Sequence, residues 1–344
     1  MRSSWTDIRV EPLEGQEWSG FSRYIGRAFH SKYILADRSF HEWQYENGFY
    51  AAKSGSEIVG HFGFRDIAYK IFDQVRSVRV LMNLFVLPEY RTLGVGTLLA
   101  ETVLDNKKST LVSGYTQATD RLIRHFKKNW REAGNLKRFF IVQNDDHPIF
   151  KGFPANPRSP RPHYKNLWPV QNGIKFDKRF DDLWKNLSDQ FPVTLKRSSG
   201  YLKWRFGDHP FFNYQFLIAE KQNELAGYLV FHLEEDQGFQ IARIVDLFAH
   251  KKTAPELLEA FLNHLKASAI PAADFFTSSD YYDDVFEPLG FFDTDGTAWE
   301  RFPILFSPIS TKKLFINIGY DFGADFKNCY FTKAEGDQDR PNSH

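Results

Sequence analysis

The stretch LMNLFVLPEYRTLGVGTLLAETV (residues 81–103) decides the fold. Leu81 to Val86 is a short apolar run interrupted by Asn83, the pattern of a central strand buried on both faces. Pro88 ends it. Arg91-Thr92-Leu93-Gly94-Val95-Gly96 reads as a turn, and a helix starts at about Thr97. A helix start carries unpaired N–H groups and a partial positive charge, so an anion can sit there. Glycines allow close backbone approach and positive φ, and Arg91 adds charge-assisted hydrogen bonds. The ligand read from this loop carries a phosphate or pyrophosphate. A dinucleotide fingerprint would need glycine at 99, where Leu99 stands, and the Gly-Lys-Ser/Thr of a P-loop is absent.

Working outward, the chain reads as an internal duplication. Phe40-x-x-Trp43-x-Tyr45 recurs as Tyr201-x-x-Trp204-x-Phe206, and Ala52–Gly60 recurs at equal length as Ala219–Gly227. Leu81–Val86 matches Ile244–Ala249, and helical patterns at Thr97–Lys108 and Pro255–Lys266 share phase. Strands follow at Leu111–Tyr115 and Ala273–Thr277. Five matches in one order, offset by about 160 residues, argue for repetition of one α/β unit. The proline-rich stretch Phe153–Pro162 suggests a stiff linker or crossover. It places the boundary near 165, giving units 1–165 and 166–333 and a polar, flexible tail 334–344 that frays.

Composition bounds the rest. A length of 344 residues suits about two domains. A net charge of +1 argues against a dedicated nucleic-acid binder. One cysteine, Cys329, excludes an internal disulfide and fits a reducing cytoplasm. No run approaches the roughly 20 apolar residues of a membrane span, and no metal is expected. Aromatic residues reach 17%, which predicts a core rich in rings.

The spacing of Val86, Pro88, Arg91, Gly94, Gly96 and Leu99 resembles the coenzyme A loop of the GCN5-related N-acetyltransferase (GNAT) superfamily, over roughly residues 8–145. The resemblance implies a mixed-sheet α/β fold in two tandem units. It implies that Arg91, Thr92, Leu93, Gly94, Val95, Gly96 and Thr97 bind the pyrophosphate of acyl-CoA. It also implies that Leu84, Phe85 and Val86 pair with pantetheine where the strand splays from its neighbour. The acceptor amine would attack the thioester directly. Many members carry a catalytic Glu on the strand before the loop. Asn83 stands there, and it can orient an amine or a water but cannot be a base. His61 is the candidate base. The late-helix tyrosine of the family is replaced by Phe126, so Tyr115, His125 or solvent is the candidate acid for the thiolate.

The second unit has His250–Pro255 in place of the loop, with no glycine, so it reads as a relative that lost the CoA site. Tyr201–Pro210 resembles a segment of two-domain acyltransferases of surface-polysaccharide pathways. That resemblance implies a nucleotide-linked amino sugar, of dTDP type, as acceptor. The acyl group would be acetyl or 3-hydroxybutanoyl, and the state monomer or homodimer. His30, Trp204 and Asp246 are the acceptor-side candidates, the last two as substrate or interdomain contacts. Of the rings, Tyr33, Tyr115 and Tyr281 do not repeat and are candidates for nucleotide or sugar contact. The basic run Arg121–Arg138 reads as a solvated face or a phosphate attractor. Alternatives are a peptide-type or small-amine acyltransferase and a non-catalytic binding module.

Overall fold

The computed structural model describes residues 8–154, 169–304, 309 and 314–341. Residues 155–162 of the proline-rich stretch and the boundary near 165 lie outside them. The first half runs β1 (Ile8–Pro12), α1 (Trp18–Ala28), α2 (Arg38–Tyr45), β2 (Phe49–Ser54), β3 (Glu57–Ile71), β4 (Gln74–Val86), α3 (Val95–Val103), β5 (Ser109–Ser113), α4 (Gln117–Phe126), β6 (Arg131–Asn135) and β7 (Lys137–Val142). The second runs β8 (Val170–Asn172), α5 (Lys178–Leu187), β9 (Val193–Leu195), α6 (Ser199–Leu202), β10 (Gln215–Lys221), β11 (Glu224–Asp236), β12 (Phe239–Ala249), α7 (Ala254–Ala267), β13 (Ala272–Thr277), α8 (Asp283–Phe286), β14 (Phe292–Asp293), β15 (Asn317–Tyr320) and β16 (Cys329–Tyr330).

The repeated segments fold alike. β2, β3, β4, α3 and β5 correspond to β10, β11, β12, α7 and β13. In each half an antiparallel meander is followed by a helix and a parallel return strand. At the repeated Gly60 and Gly227 that helix packs tightly over the sheet. A Cβ on Gly60 would lie 3.2 Å from Leu99 Cδ1, and one on Gly227 3.2 Å from Leu257 Cδ1. Both helices depart slightly from their sequence patterns. α3 starts earlier, at Val95, and stops at Val103, because Asp105 turns the chain by accepting from the Lys107 N–H at 2.8 Å.

The halves are not separable at residue 165. One sheet has the order β1-β2-β3-β4-β5-β15-β6 and the other β14-β7-β13-β12-β11-β10-β8. β7, from the first half, therefore fills the place in the second sheet that β15, from the second half, fills in the first. Each half lends its partner one interior strand. β9 also leaves the second half to pair with the far end of β3, and β16 pairs with β9. The main apolar core follows this exchange and runs through both halves, from Phe21 and Tyr45 to Phe248 and Tyr330. A second core beneath α3 holds Val59, Leu81, Leu99, Val112 and Ile123.

The expected fraying tail is a further correction. Ala334 to Asp337 and Asp339 are buried. The Tyr201 hydroxyl donates to Ala334 O at 2.8 Å, and Asp339 accepts from Tyr214 and pairs with His232 at 2.6 and 2.9 Å. Polar composition does not expose this segment, because its polar groups find buried partners.

Candidate active site

β4 and β5 pair only from Val78–Ser109 to Leu81–Val112 and then part. The cause is a bulge in β4. Gly63 faces Met82 and His61 faces Phe85, so Asn83 and Leu84 together oppose Phe62. Asn83 takes φ 53°, in the left-handed region. An extra residue of this kind bends a strand away from its neighbour. The gap becomes a cleft of about 300 Å³, walled by Leu81 to Phe85, Val112 to Thr116, Phe29, Tyr33 and the C-terminal segment.

At the end of β4, Pro88 opens a short 3-10 turn that finishes at Gly94, with φ 73°. α3 begins at once. The Thr97 and Leu98 N–H groups turn back to Gly94 O at 3.0 and 3.1 Å, so those of Val95 and Gly96 are left at the open end of the helix. Arg91 and Thr92 are exposed, and Leu93, Gly94 and Gly96 partly so. The Arg91 Nε donates to Val86 O at 3.0 Å, which places its guanidinium beside Phe85 and the cleft. The loop thus presents backbone donors and one cation beside the opening between the strands, a cradle for a phosphate group.

The second half shows what became of the same place. β12 carries a bulge one position earlier, at Val245, and β12 and β13 part after Ile244–Phe275. Here the gap is filled. The Tyr330 hydroxyl donates to Leu247 O, and the Tyr282 hydroxyl donates to Ala249 O at 2.6 Å and accepts from Ala249 N at 2.9 Å. Leu247 and Ala249 are the counterparts of Leu84 and Val86. Their backbone groups are consumed by the protein's own side chains.

The remaining candidates divide sharply. Asn83 lies in the cleft wall. Its Nδ2 donates to Tyr45 Oη and, at 2.8 Å, to Asp337, while Arg340 donates to its Oδ1. Tyr115 lines the cleft, but its hydroxyl is buried without a hydrogen-bond partner near Trp130 and Gly319. Burial raises its pKa above the usual phenol value, so it stays protonated at neutral pH. His61 is fully buried, with Nδ1 2.8 Å from the Tyr24 hydroxyl and its ring stacked on Phe49. Burial lowers its pKa to about 3, which disfavours it as a base near neutrality, and it does not line the cleft. His30 is exposed, edge-on to Tyr33 at 5.5 Å, and Tyr33 stacks on Phe29 at 4.2 Å near the cleft. His125 is exposed on α4, beside Phe126.

Trp204 is an interdomain contact, stacked on Trp43. Asp246 is fully buried and gripped by Arg197 at 2.9 and 3.0 Å, with Tyr228 and Thr332 also donating to it. Neither lines the cleft. Arg243, the neighbour in sequence, pairs instead with Asp274. Tyr281 packs on Phe191 beneath Lys251, away from the cleft. The basic run Arg121–Arg138 does not form one face: Lys127 reaches Asp321 and Arg138 is buried on Asp274. Among the described residues, His232, Glu234 and Asp339 are grouped closely enough to hold a metal ion. Glu234 is already paired with Arg243, and Asp339 with Arg205.

The site residues missed in the sequence are Asp337 and Arg340. Their signal was weak, because they sit in a polar stretch 254 and 257 residues from the Asn83 they touch.

Residues 18–126 match the model of the acetyltransferase (GNAT) family. This span runs from α1 to α4 and contains the bulge, the loop and most of the cleft wall. The match covers about a third of the chain. Solved structures resemble the chain across both halves. A GCN5-related N-acetyltransferase from Anabaena variabilis ATCC 29413 is 12% identical, with a TM-score of 0.59, over 91% of this chain and 72% of that one. A GCN5-related N-acetyltransferase from Kribbella flavida is 18% identical, with a TM-score of 0.54, over 78% of this chain and 63% of that one. A conserved protein from Enterococcus faecalis V583, described as a probable N-acyltransferase, is 11% identical, with a TM-score of 0.59, over 90% and 72%. At these identities the likeness establishes the fold. No curated protein matches the sequence.

Proposed function

We propose that the chain moves an acyl group from acyl-CoA to the primary amine of a nucleotide-linked amino sugar in the cytoplasm, with one active site per chain. The observation that carries the CoA part is the loop Pro88–Gly96 at the mouth of the β4–β5 gap, open in the first half and plugged by Tyr282 and Tyr330 in the second. Leu93 to Thr97 and Arg91 would hold the pyrophosphate. Leu84 to Val86 would pair with pantetheine and lead the thioester to Asn83.

The reaction then needs little from the side chains. The ammonium loses one proton to solvent, and the amine attacks the thioester carbonyl. The C–N bond forms, the C–S bond breaks, and the departing thiolate takes the second proton from nitrogen. Both Nδ2 hydrogens of Asn83 are donated within the wall, so its amide would orient the amine or a relaying water through the free lone pair of Oδ1. The stacked Phe29 and Tyr33 rings beside the cleft support a sugar or base on the acceptor side.

The test is free-thiol release from acetyl-CoA with a panel of dTDP- and UDP-amino sugars, with products identified by mass spectrometry. Absence of any CoA-induced rise in melting temperature would remove the assignment.

A further inference from the structure

The C-terminal segment does more than close the fold. It runs on from Thr332 and reaches the cleft at Asp337, Gln338 and Arg340. Asp339, held by Tyr214 and His232, anchors it at one side. The Gln338 side chain donates to Ser113 O at 3.0 Å, at the end of β5, and anchors it at the other. Between them Asp337 and Arg340 join the wall built by Asn83 and Tyr33. They are the only charged side chains lining the cleft among the described residues.

Both are held in place but not used up. Asp337 is 6% exposed; its Oδ2 accepts from Asn83 and Arg340, whereas its Oδ1 accepts only from neighbouring Gln338, at 3.2 Å. Arg340 makes three hydrogen bonds, two from Nη1 and one from Nη2 to the Tyr33 hydroxyl at 2.8 Å. A guanidinium has five N–H donors, so some remain. Ser113, in the same wall, has a buried Oγ with no partner. An ion pair buried against an apolar cleft costs desolvation that its own attraction does not fully offset, so it points to a role beyond stability. The pair is neutral overall. A bare ammonium entering the cleft would leave a net positive charge in a partly dry site, whereas an acceptor with its own anion would not.

On the reading of the cleft given above, we infer that Asp337 and Arg340 select an acceptor that carries an ammonium close to an anionic group, carboxylate or phosphate. The ammonium docks on Asp337 Oδ1 beside Asn83, and the anion docks on Arg340 and the Tyr33 hydroxyl. The carboxylate opposite the thioester thus comes from the end of the chain, whereas the strand position facing it is the uncharged Asn83.

The experiment uses the full chain, acetyl-CoA and matched primary amines: glucosamine against glucosamine 6-phosphate, and glycine against glycinamide. The first pair tests phosphate and the second carboxylate. In at least one pair the anionic member has a kcat/KM about tenfold or more above its neutral counterpart, as expected for a charge-assisted contact. Arg340→Gln brings that ratio to within about threefold by raising KM for the anionic member, and Asp337→Asn lowers kcat/KM for every amine by about 100-fold. Asp337→Glu recovers part of it. CoA-induced thermal stabilisation is unchanged in all three variants, so loss of the acceptor preference stays distinct from failure of the CoA assignment. Equal use of neutral and anionic amines by the wild type, or an unchanged ratio in Arg340→Gln, overturns the inference.

Discussion

Trp43 and Trp204 lie face to face, ring centroids 5.2 Å apart, and each indole N–H donates to the other's backbone carbonyl, at 2.8 and 3.0 Å. They are the same residue of the repeat, so the contact is reciprocal in the way a two-fold interface is. Arg65 extends it by covering the Trp204 ring at 3.9 Å. Trp204→Ala removes the stack and the bond to the Trp43 carbonyl, while its own backbone carbonyl still accepts from Trp43, and should cost about 3 kcal/mol. Trp204→Phe keeps much of the ring area and should cost about half as much. Urea unfolding measures both, and a loss below about 0.5 kcal/mol for the alanine variant would show that the halves do not depend on this contact.

Asp246→Asn leaves the Arg197 guanidinium buried without its bidentate partner. A loss of about 3 kcal/mol in stability is expected, because that buried charge keeps only Glu335, at 3.4 Å, as an ion-pair partner. If the folded variant instead keeps its stability and loses only affinity for the amine, Asp246 is an acceptor residue after all.

The loop glycines separate two effects. Gly94 has φ 73°, so Gly94→Ala strains the backbone by about 1 kcal/mol and weakens CoA binding by misplacing the helix start. At Gly96 the nearest atom to an added Cβ is Leu122 Cδ2 at 3.9 Å, so Gly96→Ala fits. Gly96→Asp fits as well but puts a negative charge where the pyrophosphate would lie. CoA affinity measured by calorimetry should fall at least tenfold in Gly96→Asp, against about threefold or less in Gly96→Ala. Wild-type affinity in Gly96→Asp would contradict the loop assignment.

Calorimetry should also give one CoA per chain. Tyr282 and Tyr330 already occupy the backbone groups of the second gap. A stoichiometry of two would mean that these tyrosines swing out.

The pH dependence of stability has a definite sign. His61 has its pKa lowered by burial from the usual 6.5 to about 3. The unfolded chain therefore binds more protons there, and stability falls as pH drops from about 6.5 towards 3, by about 1.4 kcal/mol per unit for this one group. His61→Phe should flatten that slope by one proton. The acid limb of the rate profile should not move between the two proteins, and a shift would restore His61 as a base.

Much of this was legible in the sequence because it is local. The bulged strand, Pro88, the glycines and α3 lie within 23 consecutive residues, and the repeat places a copy of the frame further along. Trp204 and Asp246 stand out in the sequence, but their partners Trp43 and Arg197 cannot be read off, because pairing across a fold leaves no spacing pattern. The strand exchange escaped for the same reason: β7 and β15 look alike as short strands, and nothing local says which sheet receives each. The sequence Ala334–His344 misled because its polarity, without knowledge of Arg205, Tyr214 and His232, resembles a solvated end.

The exchange has a consequence for synthesis. On the ribosome, β5 and β6 are complete about 180 residues before β15 is made to lie between them. Until then the first sheet keeps an unfilled slot with exposed strand edges. Asp337 and Arg340 emerge later still, so the nascent chain carries its cofactor loop for most of translation without the charged wall of its acceptor cleft. Premature termination anywhere past α7 would yield a protein with the cofactor loop and an unfinished acceptor side. On that reading, the cleft gains its charged side chains only when Asp337 and Arg340 have been made.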